Sequence, residues 1–245
     1  MTNAVAVYCG ASPGRQRAYR CAADSLGRAL AVAKRPLVYG GGVKGIMGIV
    51  SRAALSAGGD VVGVIPYAIL AGGGEGERFS PDGPMSVFDS LREDGRERAG
   101  LVVVDSMHER KVEMARRSCG FIGLPGGYGT FEEVFEVTTW TQIGIHSKPV
   151  VIANVLGFFD PIRALIQNAV GDGFIRPVGK GLIKFVDGPA DYSLHETFDW
   201  GKALLDELDT WEDDPSYSLG FKWTKSADSS TSNSSEEETE ALWAT

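Results

Sequence analysis

The stretch Gly120-Phe121-Ile122-Gly123-Leu124-Pro125-Gly126-Gly127-Tyr128-Gly129-Thr130-Phe131-Glu132-Glu133 decides the fold prediction. Its apolar run, Gly120–Leu124, predicts a buried strand, and the residues after the glycine-rich turn have the composition of a helix. Such a turn directs backbone N–H groups towards an anion, and the helix N-terminus adds partial positive charge. We therefore expect a phosphate-binding turn, with Glu132 and Glu133 in the first helical turn behind it, where a carboxylate is electrostatically favoured.

Short apolar runs alternate with helical patterns along most of the chain. The predicted strands are Val5–Tyr8, Leu37–Tyr39, Asp60–Ile65, Leu101–Val104, Phe121–Leu124, Val150–Val155 and Leu182–Val186. The predicted helices are Arg15–Ala33, a segment ending near Ala57, Met107–Ser118, Thr130–Ile145, Phe159–Val170 and Asp191–Leu208. The strands are continuously apolar, as expected when both faces are buried. This pattern predicts a doubly wound, mainly parallel α/β sheet with helices on both faces and ligands at the carboxyl ends of its strands.

The composition suits one large domain, which we place at residues 1–208. The chain has 245 residues, of which 43% are hydrophobic. Residues 71–100 mix glycine, proline and charges with little apolar period, which predicts an insertion. Residues 209–245 form an acidic, serine-rich tail that we expect to be disordered from about residue 224.

The charge distribution argues against nucleic-acid binding. Residues 206–245 hold 11 acids and two lysines, whereas residues 1–205 hold 22 bases and 21 acids, so no basic face stands out. The cysteines, Cys9, Cys21 and Cys119, lack zinc-ligand spacing, and an odd count does not suit a disulfide framework. No segment approaches the ~18 apolar residues of a membrane helix, and no secretory signal is apparent. We expect a soluble, cytoplasmic protein that binds neither membrane nor nucleic acid.

A second glycine-rich turn, Gly40-Gly41-Gly42-Val43-Lys44-Gly45, fits G-x-G-x-x-G. The acid about 20 residues on, Asp60, precedes its strand, whereas a dinucleotide site needs an acid at the strand's carboxyl end. Nicotinamide binding is therefore poorly supported by this turn. Gly41 and Gly42 either form a second wall of a nucleotide pocket, which we favour, or allow tight packing of a helix on the sheet.

Two further segments carry candidate ligand-binding residues. Arg110, Met114 and Arg117 share one face of the predicted helix after the fourth strand, and the start of this helix is expected beside the phosphate-type turn. Arg110 can fork onto a phosphate or carboxylate, and Lys111 is a second candidate. Ser12, after the first strand, either lines the same sheet edge or caps the Arg15–Ala33 helix.

These residues resemble the Lonely Guy family of cytokinin-activating phosphoribohydrolases, long mislabelled as lysine decarboxylases. The resemblance lies in two ordered motifs, Met107-His108-x-Arg110-Lys111-x-x-Met114 and Pro125-Gly126-Gly127-x-Gly129-Thr130-x-x-Glu133. It extends from about Val5 to Leu182. The family's fold is Rossmann-like, and its members are usually homodimers with sites near the subunit interface.

The resemblance also implies roles for individual residues. Arg110 and Glu133 match the family's catalytic arginine and glutamate, and Met114 matches a methionine near the base. The matching substrate-contacting positions are Lys111, Gly126, Gly127, Tyr128, Gly129, Thr130, Phe131, Glu132 and Thr138. A further substrate-binding acid stays unassigned, with Glu75, Glu77 and Glu97 as candidates.

The implied reaction is hydrolysis of the N-glycosidic bond of a cytokinin riboside 5′-monophosphate, and of adenosine monophosphate as well, with no cofactor and no metal. The preferred base is left open. A broader purine nucleoside 5′-monophosphate nucleosidase and a non-catalytic nucleotide-binding regulator are alternatives. A nicotinamide-dependent oxidoreductase rests on Gly40–Gly45 alone. A decarboxylase would need a lysine such as Lys44 or Lys111 to form a Schiff base with pyridoxal phosphate.

Overall fold

A computed structural model describes residues 3–72, 99–221 and 223 of the chain, and these contain one seven-stranded sheet. The strands are β1 (Val5–Tyr8), β2 (Leu37–Tyr39), β3 (Val61–Pro66), β4 (Ala99–Val104), β5 (Gly120–Gly123), β6 (Val150–Ala153) and β7 (Ile183–Val186). Their order is β4-β3-β2-β1-β5-β6-β7, and every pair is parallel. The predicted doubly wound α/β fold is confirmed.

Helices cover both faces of this sheet. They are α1 (Arg17–Val32), α2 (Gly45–Ser56), α3 (Tyr67–Ala71), α4 (Met107–Arg116), α5 (Tyr128–Ile143), α6 (Asp160–Gly171) and α7 (Trp200–Asp209). Helices α1, α2 and α7 supply one apolar core, and α4, α5 and α6 supply the other. Alternate strand residues feed the two cores, so Val7 belongs to the first and Tyr8 to the second.

β1 lies at the centre of the sheet and marks the point where the strand order reverses. Val5 pairs with Leu37 of β2 on one side and with Gly120 of β5 on the other. The chain moves outward from β1 to β4 and then returns to place β5 beside β1. The loops after β1 and β5 therefore diverge, which opens a crevice at their carboxyl ends.

Most helices begin or end one or two residues from their predicted bounds, and two of the differences have a structural cause. α5 begins at Tyr128 rather than Thr130, because Gly127 already occupies its N-cap position. Glu132 and Glu133 therefore lie beyond the first turn of the helix and not within it as predicted. The predicted helix Asp191–Leu208 is divided into a 3₁₀ segment, Tyr192–Glu196, and α7. The break is stabilised by Asp199, whose side chain accepts a hydrogen bond from the backbone N–H of Lys202 at 3.0 Å.

Most of the predicted insertion at 71–100, with Glu75, Glu77 and Glu97, and the tail from residue 224 lie outside the described residues. The part of the tail that is described packs against the end of α5. The indole of Trp211 donates to the carbonyl of Ser147 at 2.8 Å, and that of Trp223 donates to Ile143 at 2.9 Å. The division of the chain at residue 208 stays a prediction.

Candidate active site

A cavity of about 450 Å³ opens at the reversal point of the sheet, within the range of small-ligand sites. It is lined by the loop after β1, by Gly40 after β2, and by the turn from Pro125 to Thr130 after β5. Arg110 of α4 and Glu133 of α5 complete one side. Residues predicted from separate motifs therefore share one cavity.

The turn after β5 presents the N-terminus of α5 to this cavity. Gly127 is the N-cap of α5, and no side chain caps the helix there. The first N–H groups of a helix have no intrahelical acceptor, so those of Tyr128, Gly129 and Thr130 are suited to bind an anion. This 16-residue helix also adds its dipole to that position.

The glycines of this turn have two different uses. A Cβ on Gly126 would lie 2.1 Å from Thr130 Oγ1 and 2.8 Å from the Gly10 nitrogen, so this position must be glycine for the turn to pack against the loop after β1. A Cβ on Gly127 or on Gly129 would meet no described atom within 4 Å. Those two glycines leave space at the cavity wall.

Arg110 is held at the cavity by the start of α4. Ser106 caps this helix by accepting a hydrogen bond from the Glu109 N–H at 3.0 Å. Arg110 Nη2 then donates to the Gly40 carbonyl oxygen at 3.4 Å. A Cβ on Gly40 would lie 1.9 Å from Nη2, so glycine at this position lets the guanidinium cross the end of β2.

Arg110 and Glu133 form the charged centre of the cavity. Arg110 Nη2 lies 3.7 Å from Glu133 Oε1, with side-chain exposures of only 12% and 9%. This separation exceeds a normal hydrogen bond, and Glu133 Oε1 and Arg110 Nε have no hydrogen-bond partner among the described residues. Both atoms are buried, so each keeps hydrogen-bonding capacity for an enclosed water.

Burial raises the pKa of Glu133 to about 7, although the positive charge of Arg110 opposes this shift. Desolvation is the larger effect because the carboxylate loses most of its contact with water. A carboxyl group with this pKa exchanges its proton near neutral pH, which suits a general base.

Lys111 is neutralised by two acids of α5. Its Nζ lies 2.5 Å from Glu132 Oε1 and 2.9 Å from Glu136 Oε1. Burial alone would lower the pKa of Lys111, but hydrogen bonds to these two carboxylates leave it raised. A Schiff-base lysine must be deprotonated to attack a carbonyl, so this environment argues against that role for Lys111.

The second glycine-rich turn contacts protein rather than open space. The N–H groups of Ile46 and Met47 at the start of α2 both donate to the carbonyl of Gly10, at 3.0 and 3.2 Å. Gly40 lines the cavity, whereas Gly41 and Gly42 lie outside its lining. The dinucleotide interpretation loses its main support, because these N–H groups of α2 already donate to the loop after β1 and are not free to bind a phosphate.

Comparison with known proteins agrees with the motifs in this cavity. A family model described as "Possible lysine decarboxylase" matches residues 47–194, a range that includes Arg110 and Glu133. The chain is 47% identical over 190 residues to "Probable cytokinin riboside 5'-monophosphate phosphoribohydrolase LOGL9" of Oryza sativa subsp. japonica, covering 78% of this chain and 74% of that protein. It is 42% identical over 202 residues to "Cytokinin riboside 5'-monophosphate phosphoribohydrolase LOG5" of Arabidopsis thaliana, covering 82% and 79%. The chain belongs to the Lonely Guy family.

Solved structures support the fold of this Lonely Guy protein but not its activity. The molybdenum cofactor carrier protein of Chlamydomonas reinhardtii aligns with a TM-score of 0.52 at 19% identity, covering 84% of this chain and 99% of that one. The molybdenum cofactor binding protein of Rippkaea orientalis gives a TM-score of 0.50 at 17% identity, covering 76% and 90%. At these identities the likeness shows a shared Rossmann-like fold only.

The remaining Lonely Guy motif positions are distributed unevenly around the cavity. Ser12 lines the cavity, and the N-cap of α1 is Gln16. Of the two roles left open for Ser12, the structure therefore favours lining the sheet edge over capping the helix. Glu132 also lines the cavity, while Tyr128 is 92% exposed. Lys111, Met114, Phe131 and Thr138 lie outside the lining in the single chain. Substrate contact by all of these positions stays a prediction.

Met114 and Thr138 have local structural partners instead. Met114 is fully buried in the core beneath α4 and α5. Thr138 Oγ1 donates to the Val134 carbonyl of its own helix at 2.7 Å. Phe131 lies with its ring centroid 6.4 Å from that of Phe158.

An aromatic wall of the cavity was missed by the sequence analysis. Tyr19 of α1 and Phe158 after β6 both line the cavity, with ring centroids 5.7 Å apart in an edge-to-face arrangement. Phe158 follows a strand at the same sheet edge, so the strand-end rule could have identified it. Tyr19 carries no comparable signal, because only tertiary packing brings α1 over the cavity.

The described part of the chain has neither a cluster suited to a metal ion nor a helix suited to a membrane. Residues 3–72, 99–221 and 223 contain no group of three or more His, Cys, Asp or Glu side chains placed to hold a metal ion. Within the same ranges, no helix is both long and apolar enough to span a bilayer.

Proposed function

We propose that this chain hydrolyses the N-glycosidic bond of cytokinin riboside 5′-monophosphates, releasing the free base and ribose 5-phosphate. The observation that carries this proposal is the buried Arg110–Glu133 pair beside the open N-terminus of α5, in one cavity. The names of the relatives supply the substrate class.

The 5′-phosphate binds at the turn Gly126–Thr130. The N-terminal N–H groups of α5 supply donors in fixed positions, and the helix dipole favours the negative charge. Binding energy from this remote group positions the ribose next to the catalytic pair. Orientation of this kind lowers the barrier without new chemistry at the phosphate.

Glu133 acts at C1′, the ribose carbon from which the base departs. As the C1′–N bond breaks, positive charge develops on the ribose ring, as in other glycoside cleavages. An ionised carboxylate already fixed at that point stabilises this charge. With a pKa of about 7, Glu133 also accepts a proton from the attacking water near neutral pH.

Arg110 acts on both the Glu133 carboxylate and the substrate. Its 3.7 Å approach favours the ionised form of Glu133, and its guanidinium lines the cavity, where it can fork onto ribose or phosphate oxygens. Water supplies the hydroxyl group that bonds to C1′ and the proton that the departing base takes up. Tyr19 and Phe158 offer aromatic surface for the planar base.

The decisive experiment measures free base and ribose 5-phosphate released from isopentenyladenosine 5′-monophosphate. Glu133→Gln is expected to lower kcat at least ~100-fold while ribose 5-phosphate still binds, because loss of one preorganised electrostatic group has this magnitude. Glu113→Gln is the matched control, since Glu113 pairs with Arg117 outside the cavity.

Two results would contradict the proposal: no base released by the wild-type chain, or near-normal release by Glu133→Gln. Parallel assays with adenosine monophosphate and other purine monophosphates establish the preferred base. The homodimer that the family resemblance implies is a further proposal, and light scattering on the purified chain measures it. A cytoplasmic location is proposed on the sequence alone and is tested by fractionation.

A further inference from the structure

One buried phenol, that of Tyr8, takes no part in the mechanism above. Tyr8 is the last residue of β1, and its side chain is 1% exposed. Its ring stacks on Phe121 of β5, with centroids 5.9 Å apart and an interplanar angle of 10°. It packs in the core that α4 and α5 cover, together with Met114 and Val134.

The hydroxyl of Tyr8 has no hydrogen-bond partner among the described residues. Three atoms on α4 and α5 share this condition: Arg110 Nε, Glu133 Oε1 and Glu136 Oε2. Buried polar atoms are almost always hydrogen-bonded, to protein or to ordered water. Two donors and two acceptors in one buried region are the set that a single bridging water needs.

Core packing places Tyr8 against the two helices that carry these groups, because Met114 of α4 and Val134 of α5 belong to the same buried cluster as Tyr8. Burial first, and then the negative charges of Glu133 and Glu136, raise the pKa of Tyr8 well above its usual value, against the opposing charge of Arg110. The phenol therefore keeps its proton at neutral pH and is a hydrogen-bond donor next to carboxylates.

We propose that Tyr8 is a positioning residue for Glu133, to whose unpaired Oε1 it donates a hydrogen bond through one buried water. Arg110 Nε and Glu136 Oε2 complete the coordination of this water. The hydrogen bond stabilises the ionised carboxylate and fixes it towards the cavity. This inference rests on the proposed function for its kinetic consequence, but not for its structural one.

Several ionisable groups surround Glu133, and each of them affects its pKa. Arg110 and Lys111 face it from α4, Glu132 and Glu136 lie on its own helix, and Tyr8 approaches from β1. Tyr8→Phe removes one oxygen and leaves the charges of the other four groups unchanged. The stack on Phe121 and the core packing also persist, so the variant retains the fold.

Tyr39→Phe is the matched control. Tyr39 ends β2, is as deeply buried as Tyr8, and lies in the core on the opposite face of the sheet. Burial raises its pKa to about 12, so it is likewise a neutral phenol. Any general cost of losing a buried hydroxyl appears in both variants.

The test follows Glu133 by carbon NMR of its carboxyl group across pH and measures kcat/KM over the same range. Tyr8→Phe is expected to raise the Glu133 midpoint and the acid limb of kcat/KM together, by about half to one pH unit, because the ionised form loses a hydrogen bond. On the acid side this lowers kcat/KM about three- to tenfold. The profile of Tyr39→Phe is expected to coincide with that of wild type.

A Glu133 midpoint unchanged in Tyr8→Phe overturns the role of Tyr8, whatever the enzyme does. If the midpoint shifts but wild type releases no base at any pH, the proposed reaction fails while the positioning role stands. Equal midpoint shifts in Tyr8→Phe and Tyr39→Phe also overturn the proposal, since the effect would then be a general one.

Discussion

Two glycine-rich turns lie at the same edge of the sheet, and their glycines serve different purposes. In one turn they leave open space, and in the other they allow close protein contacts. The turn after β5 leaves open space at Gly127 and Gly129, in front of an uncapped helix N-terminus. In the turn after β2, a Cβ on Gly40, Gly42 or Gly45 would collide with protein atoms, and the start of α2 bonds to the carbonyl of Gly10. The first turn therefore has open space in front of a helix N-terminus, and the second does not.

The contacts at Gly45 show why composition alone misleads. Gly45 has φ +62°, and a Cβ there would lie 2.2 Å from the backbone carbonyl of Ala11. This glycine lets α2 approach the loop after β1 at backbone distance. Glycine-rich motifs therefore record close approach, and only the structure shows whether the approaching group is protein or ligand.

The largest effect is expected for Gly45→Ala. The residue needs a left-handed backbone conformation, and its new methyl group collides with Ala11, so we expect a loss of roughly 3 kcal/mol or more of unfolding free energy. The matched control is Gly58→Ala, because Gly58 also has positive φ but has no atom within 4 Å of its Cβ position. Urea denaturation of both variants provides the measurement. Equal losses would show that backbone strain alone fixes Gly45.

Much of this fold could be predicted from the sequence because its strands are continuous apolar runs. Val5–Tyr8 and Leu37–Tyr39 have their predicted bounds, since burial on both faces leaves no ambiguity of period. The start of α5 was misplaced by two residues because Tyr128 and Gly129 resemble turn residues by composition. In the structure Gly127 alone serves as the N-cap.

The site was predictable only in part. The motifs named Arg110 and Glu133, and the strand-end rule brought both to one edge. The 3.7 Å contact between them, and the burial that raises the Glu133 pKa to about 7, depend on how α4 packs beside α5. The roles of Tyr8 and Tyr19 depend on side-chain direction in the folded chain, which no motif records.

The next-largest effect is expected for Glu133→Gln, which removes the carboxylate behind the turn after β5. The folded pKa of Glu133, about 7, lies above its unfolded value near 4.5, so the native state binds more protons between these values. Wild type should therefore lose stability relative to Glu133→Gln as pH rises from about 4.5 to 7. We expect a change on the order of 2 kcal/mol in the difference between them.

Urea denaturation at pH 5 and pH 8 measures this change. His146, whose pKa burial lowers to about 3, contributes an acid-side slope to both proteins, which cancels in the difference. Glu113→Gln is the control, since it makes the same change in an ion pair with Arg117 outside the cavity. A stability difference that is constant with pH would show that burial does not govern Glu133.

The smallest effect, and the sharpest test of the comparison, is expected for Gly127→Ala. The backbone at Gly127 has φ −108° and ψ −154°, which alanine can adopt, and no described atom lies within 4 Å of its Cβ position. Stability should therefore change by no more than about 0.5 kcal/mol. The affinity for ribose 5-phosphate should fall about tenfold, because the methyl group narrows the space in front of the α5 N–H groups.

Gly171→Ala makes the same change at the end of α6, also with open space around it and away from the cavity, and should leave affinity unaltered. Calorimetric titration with ribose 5-phosphate separates the two variants, and equal affinities would mean that the phosphate does not bind at this turn.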